Sequence, residues 1–262
     1  PFAVISDKAN NRKYPIADYS LTPTVAIVDP ALVLTVPGFV AADTGMDVLT
    51  HATEAYVSQM ASDYTDGLAL QAIKLVFENL ESSVKNADFH SREKMHNAST
   101  IAGMAFANAF LGISHSMAHK IGAQFHTVHG RTNAILLPYV IRYNGTRPAK
   151  TATWPKYNYY RADEKYQDIA RMLGLPASTP EEGVASYAKA VYELGERVGI
   201  EMNFKAQGVD EKEWKEHSRE LAFLAYEDQC SPANPRLPMV EHMQEIIEDA
   251  YYGYKERPGR LK

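Results

Sequence analysis

Two hydrophobic patterns divide this chain. In the first 29 residues short apolar pieces alternate with polar stretches, whereas from about Val40 onward apolar positions fall three and four residues apart. Phe2-Ala-Val-Ile-Ser, Lys13-Tyr-Pro-Ile and Val25-Ala-Ile-Val28 have the length and composition of strands, and Asp7-Lys-Ala-Asn-Asn-Arg12 holds the residues that turns favour. Leu68, Ile73, Val76, Phe77 and Leu80 recur at helical spacing and predict one buried face. Thr179-Pro-Glu-Glu182 places a hydroxyl at an N-cap, proline in the first turn and glutamate three residues on, and Asp210-Glu-Lys-Glu213 offers a similar start. Gly174 and Gly199 follow periodic runs where a left-handed C-cap belongs. Residues 145–160 carry Pro148, Pro155 and aromatics without a period, which predicts a connecting loop. The expectation is a mainly α fold, with a β segment over 1–29 and a helical body over 30–262.

Composition narrows the partners. A net charge of -5 leaves no basic excess to displace phosphate counterions, so no nucleic-acid partner is expected. No apolar run approaches the roughly 18 residues of a membrane helix, so no membrane role is expected either. The lone Cys230 rules out an internal disulfide and fits a reducing cytoplasm. Pro1 opens the chain with a strand already under way and no charged-then-apolar leader. That predicts a piece of a longer protein rather than a secreted one.

The chemistry sits in the histidines. Asp47 and His51 are four apart in a convincing helical stretch, so a carboxylate and an imidazole share one face. Alone, such a pair is more often a surface pair than a ligand pair. His115 and His119 repeat the spacing, and His129 follows beside Gly130, where the chain can turn inward. The apolar run Ala105-Phe-Ala-Asn-Ala-Phe-Leu-Gly112 leads the histidines into a buried region, where neutral imidazoles need partners and a metal is an efficient one. His126 reads as a polar neighbour, and His90, His96, His217 and His242 as solvated. One carboxylate with three imidazoles suits Fe(II) or Zn(II), and a site of net charge near +1 stabilises an alkoxide or polarises a carbonyl.

Gly45-Met-Asp-Val-Leu-Thr-His-Ala-Thr-Glu-Ala-Tyr56 and the segment from His115 to Gly130 resemble the iron-containing (group III) alcohol dehydrogenases. The likeness extends to Tyr19–Pro30, Asn133–Pro138 and Asp228–Arg236. With Ser116-Met-Ala-His-Lys120, it is strongest toward the alcohol dehydrogenase half of bifunctional aldehyde–alcohol dehydrogenases. It implies the helical metal-binding domain of the iron-type alcohol dehydrogenase and dehydroquinate synthase-like fold, with Asp47, His51, His115 and His129 as metal ligands. His119 matches a histidine beside nicotinamide and substrate, suited to a proton relay. Lys13 and Val40 fall at dinucleotide contacts, and Phe2 and Leu111 at the substrate pocket.

The implied activity is NAD(H)-dependent interconversion of a short-chain aldehyde and a primary alcohol, in a homo-oligomer or filament. No glycine-rich dinucleotide turn is present in this chain, so residues 1–29 would close a dinucleotide-binding α/β domain that lies outside it. Two other readings use the same residues differently. A metal-dependent hydrolase could share the ligand types, although the chain has no HExxH and no His-Asp dipeptide. A non-catalytic assembly fragment of a larger dehydrogenase is the other.

Overall fold

The apolar pieces at the front of the chain do not all become strands. In the computed structural model, which describes residues 1–7, 12–148 and 160–253, β1 (Phe2–Asp7) and β2 (Arg12–Ala17) pair antiparallel, Phe2 opposite Ala17 and Asp7 opposite Arg12. Val25–Val28, expected as a strand, is not one: Val25 is 74% and Ile27 86% exposed. Strand formers need a neighbouring edge to satisfy their backbone groups, and among the described residues the sheet holds only two strands.

From Gly38 the chain is helical. α1 (Gly38–Val57), α2 (Asp63–Lys85) and α3 (Phe89–Ala109) pack against one another. α4 (Ile113–Phe125), α5 (His129–Gly145), α6 (Ala162–Met172), α7 (Pro180–Arg197), α8 (Glu211–Tyr226) and α9 (Val240–Tyr252) complete the body. The mainly α expectation holds. The cap signals also act locally. Thr179 accepts the Glu182 amide, while the Glu182 carboxylate reaches the Ser178 amide at 2.6 Å, one residue before the cap. Asp210 accepts the amides of Lys212 and Glu213. Gly174 and Gly199 take φ of +71° and +84°. Each closes a paired C-terminal motif, Leu175 N–H to Ala170 O in one and Ile200 N–H to Gly195 O in the other. The connection expected at 145–160 begins after Gly145, and 149–159 lie outside the described residues.

Two hydrophobic cores share α5. Ala134, Leu137 and Ile141 face a core built with α1, α2, α3, α6 and α7, whereas Ile135, Leu136, Tyr139 and Val140 face a second with α4, α8 and α9. A helix apolar all round is a buried helix. Its N-terminus, with His129, therefore lies at the seam where α1 and α4 also meet.

Candidate metal centre

Three helices deliver the polar groups. Asp47 and His51 lie on one face of α1, His115 and His119 on α4, and His129 opens α5. Asp47 Oδ1 stands 3.7 Å from His115 Nε2 and 3.7 Å from His129 Nε2, and Asp47 Oδ2 stands 3.9 Å from His51 Nδ1. These separations are too long for hydrogen bonds. Two ligand atoms each about 2.1 Å from a tetrahedral ion stand roughly 3.4 Å apart, so the spacing is close to that of groups arranged around a common point. Asp47, His51 and His115 each bring one donor atom within 4.8 Å of the others. The His51 and His115 rings stack at 4.5 Å, and the His115 and His129 rings lie 5.4 Å apart.

The sequence reading missed the residue that orients this set. Glu54 lies three residues beyond His51 on the same face of α1 and is 2% exposed. Its carboxylate accepts the amides of Gly112 (3.0 Å) and Ser114 (2.7 Å) and sits 2.6 Å from His115 Nδ1. Burial pushes the Glu54 carboxyl up to about 7, against the pull of those backbone donors. Burial also drives His115 well below the usual imidazole range. A neutral His115 that donates Nδ1–H to Glu54 must present a lone pair at Nε2. That atom is buried, has no hydrogen-bond partner and stands toward Asp47. Buried polar atoms are rarely left so, and a cation at this point would satisfy it. At Asp47 burial works to raise the carboxyl, but His51, His129 and the Asn133 hydrogen bond pull the other way and it is held low. Asn133, also missed, donates from Nδ2 to Asp47 Oδ1 at 2.8 Å and lies 3.3 Å from His129 Nε2.

Gly130 plays a different part from the expected turn. It sits inside α5, and a Cβ there would meet Asp43 O at 2.2 Å and Asp47 Cβ at 3.1 Å. The residue allows α5 to touch the backbone of α1. The turn itself belongs to His126, which ends α4 with φ +53° and ψ +31°. Of the histidines expected to be solvated, only His90 is exposed. His96 is half-buried with a buried Nε2, half-buried His242 bonds Tyr143 Oη at 3.0 Å, and His217 packs beside Phe125.

The remaining expected residues scatter. Phe2 lies 6.0 Å from the Phe106 ring and 5.4 Å from Phe110, and Phe106 stacks on His51 at 4.6 Å, so Phe2 joins an aromatic wall beside the cluster. Leu111 is half-buried in the link between α3 and α4. Val40 lines a separate cavity of about 220 Å³ with Val33, Thr44 and Arg92. Lys13 lies in β2, and its side chain is outside the described residues. His119 Nδ1 lies 3.1 Å from Asp228 Oδ2, a partner 109 residues away. A cavity of about 770 Å³ between Arg142, Arg147, Arg236 and His242 is larger, but none of the clustered groups lines it.

Comparison with known proteins agrees in one direction. The Fe-containing alcohol dehydrogenase family, C-terminal, matches residues 41–251. An aldehyde-alcohol dehydrogenase of Streptococcus pneumoniae (strain D39) is 97% identical over all of this chain, which covers 30% of that protein. The chain spans about 30% of the length of the aldehyde-alcohol dehydrogenases it matches. The solved iron-containing alcohol dehydrogenase from Thermococcus thioreducens superimposes with a TM-score of 0.84 at 34% identity, covering 96% of this chain and 60% of that one. A sulfoacetaldehyde reductase from Bifidobacterium kashiwanohense, solved in complex with NAD+, superimposes with a TM-score of 0.76 at 28% identity, covering 94% and 59%.

Proposed function

Because this chain belongs to the Fe-containing alcohol dehydrogenase family, we propose that it supplies the metal and substrate site for NAD(H)-dependent interconversion of a short-chain aldehyde and a primary alcohol. The observation that carries this reading is the buried, unpartnered Nε2 of His115, aimed by Glu54 toward Asp47. Asp47, His51, His115 and His129 would hold the ion, Fe(II) with Zn(II) as the alternative. On this reading residues 1–29 close a dinucleotide-binding unit and 30–262 form the metal-binding body.

When bound, the ion would supply Lewis acidity toward a substrate oxygen, and the nicotinamide would supply the hydride chemistry. The protein's own groups do the rest. Glu54 fixes the His115 tautomer, and Asn133 holds the Asp47 carboxylate. Phe2 and Phe106 form an apolar wall beside His51 that favours a small carbon chain and excludes water, and Leu111 is the other proposed wall residue. His119 accepts the hydroxyl proton during alcohol oxidation and returns it during aldehyde reduction. The NAD+ complex of a structural relative supports the cofactor class, with Lys13 and Val40 as proposed contacts.

Metal content by plasma mass spectrometry, on protein purified anaerobically, tests the assignment. His115→Ala and His129→Ala should lose the ion, whereas His119→Ala should keep it and lose turnover. Full occupancy in both ligand variants would sink the proposal.

A further inference from the structure

A buried carboxylate outside the ligand set reaches the site from the link between α8 and α9. Asp228 is 6% exposed. Its Oδ2 lies 3.1 Å from His119 Nδ1 and 2.8 Å from Lys120 Nζ, and its Oδ1 accepts the Cys230 amide at 3.1 Å. The backbone around it is also tied, since Ser231 N–H donates to Asp228 O at 3.1 Å and Ser231 Oγ bonds Ser116 Oγ at 3.0 Å on α4. We propose that Asp228 is the positioning residue for His119, holding its proton on Nδ1 and leaving Nε2 as the lone-pair nitrogen.

The geometry favours this over a plain ion pair with Lys120. Besides the ring, Lys120 and the Cys230 amide hold the carboxylate, so two further bonds resist its following the imidazole if the ring rotates. The ring itself is held on its other side by His129, stacked at 5.5 Å. A neutral imidazole facing a fixed acceptor must place its single N–H there, because the other tautomer would set two lone pairs against each other. Burial works to raise the Asp228 carboxyl, yet the hydrogen bonds from His119 and Lys120, with the Lys120 charge, outweigh it, so it remains an anion and an acceptor only. Lys120 compensates the charge, which lets the carboxylate orient the ring without being an isolated buried anion. Nε2 is then the nitrogen available to the substrate proton.

The inference rests on His119 being the proton-handling residue, and the test separates the two claims. In the full-length metal-loaded enzyme, Asp228→Ala should lower kcat about ten- to a hundred-fold, with KM and metal content little changed. In a His119→Ala background the same change should cost less than about two-fold, because its effect passes through the missing ring. Asp228→Asn keeps the shape and guards against a misfolded alanine variant, but it offers one acceptor oxygen where the carboxylate offers two, so one donor contact is lost and kcat should still fall, by no more than in Asp228→Ala. Equal losses in both backgrounds would make Asp228 merely structural and overturn the proposal. Histidine ¹⁵N spectra of the zinc-loaded protein, assigned against His119→Ala, give a readout independent of turnover. The proton should sit on Nδ1 of His119 and leave it in Asp228→Ala. A wild-type proton on Nε2 overturns the positioning role. An enzyme without alcohol turnover, but with Nδ1 protonated, would remove only the catalytic reading.

Discussion

Gly130→Ala probes what makes the ligands converge. A Cβ at this position would lie 2.2 Å from Asp43 O and 3.1 Å from Asp47 Cβ. Ordinary contact would require α5 to move off α1 by roughly 1 Å at the turn that carries His129, because the obstacle is backbone rather than a flexible side chain. Overpacking of this kind costs about 1–3 kcal/mol, which lowers the melting temperature by roughly 2–4 °C per kcal/mol in a chain of this size. Ligand distances tolerate only about 0.2 Å, so the same displacement should weaken metal binding by at least ten-fold, an order-of-magnitude expectation. Gly67→Ala is the control. Gly67 is exposed on α2 and nothing lies within 4 Å of the point its Cβ would occupy, so the change should stabilise the helix by about 0.5–1 kcal/mol and leave metal affinity alone. Competition against a chromophoric chelator gives the affinity, and thermal melts of the metal-free proteins give the stability. A Gly130→Ala protein that binds metal within two-fold of wild type and melts at the same temperature would refute the reasoning.

Two further predictions bear on neighbouring links. Glu54→Gln keeps one acceptor oxygen where Glu54 offers two, so only one of the Gly112 and Ser114 amides keeps its partner, and it removes the charge that orients His115; metal affinity should fall roughly 10–100-fold with the helical content intact. Unchanged affinity in the same competition assay would show that Glu54 is only a helix-packing group. At the start of α3, Asp88 caps the Ser91 amide and also bonds the Ser91 and Ser82 hydroxyls, and these bonds hold its carboxyl well below the usual range. With the folded value depressed, its stabilisation is present above the unfolded value of about 3.9 and is lost as pH falls through the folded value. Urea midpoints compared at about pH 5 and pH 2.5 should therefore drop less in Asp88→Asn than in wild type. Equal drops would mean that the cap does not couple to folding.

Where the chain's own pattern sufficed, the controlling interactions are local. The periodicity of α2, the caps at Thr179 and Asp210 and the left-handed glycines 174 and 199 all depend on groups within about one helical turn. Asp47 with His51, and His115 with His119, were legible for the same reason, and Glu54 could have been read from its place on the face of His51. Val25–Val28 shows the limit, because strand propensity says nothing about whether an edge is present to pair with. The convergence of α1, α4 and α5 was a different kind of fact. It depends on a helix buried between two cores, on a glycine that lets two backbones touch and on Asp228 meeting His119 across 109 residues. Sequence alone determined which helices carry imidazoles and carboxylates and on which faces. Only the tertiary structure decided which of those groups meet, because side-chain spacing within a helix follows from its pitch, whereas distance between helices follows from how every neighbouring side chain packs.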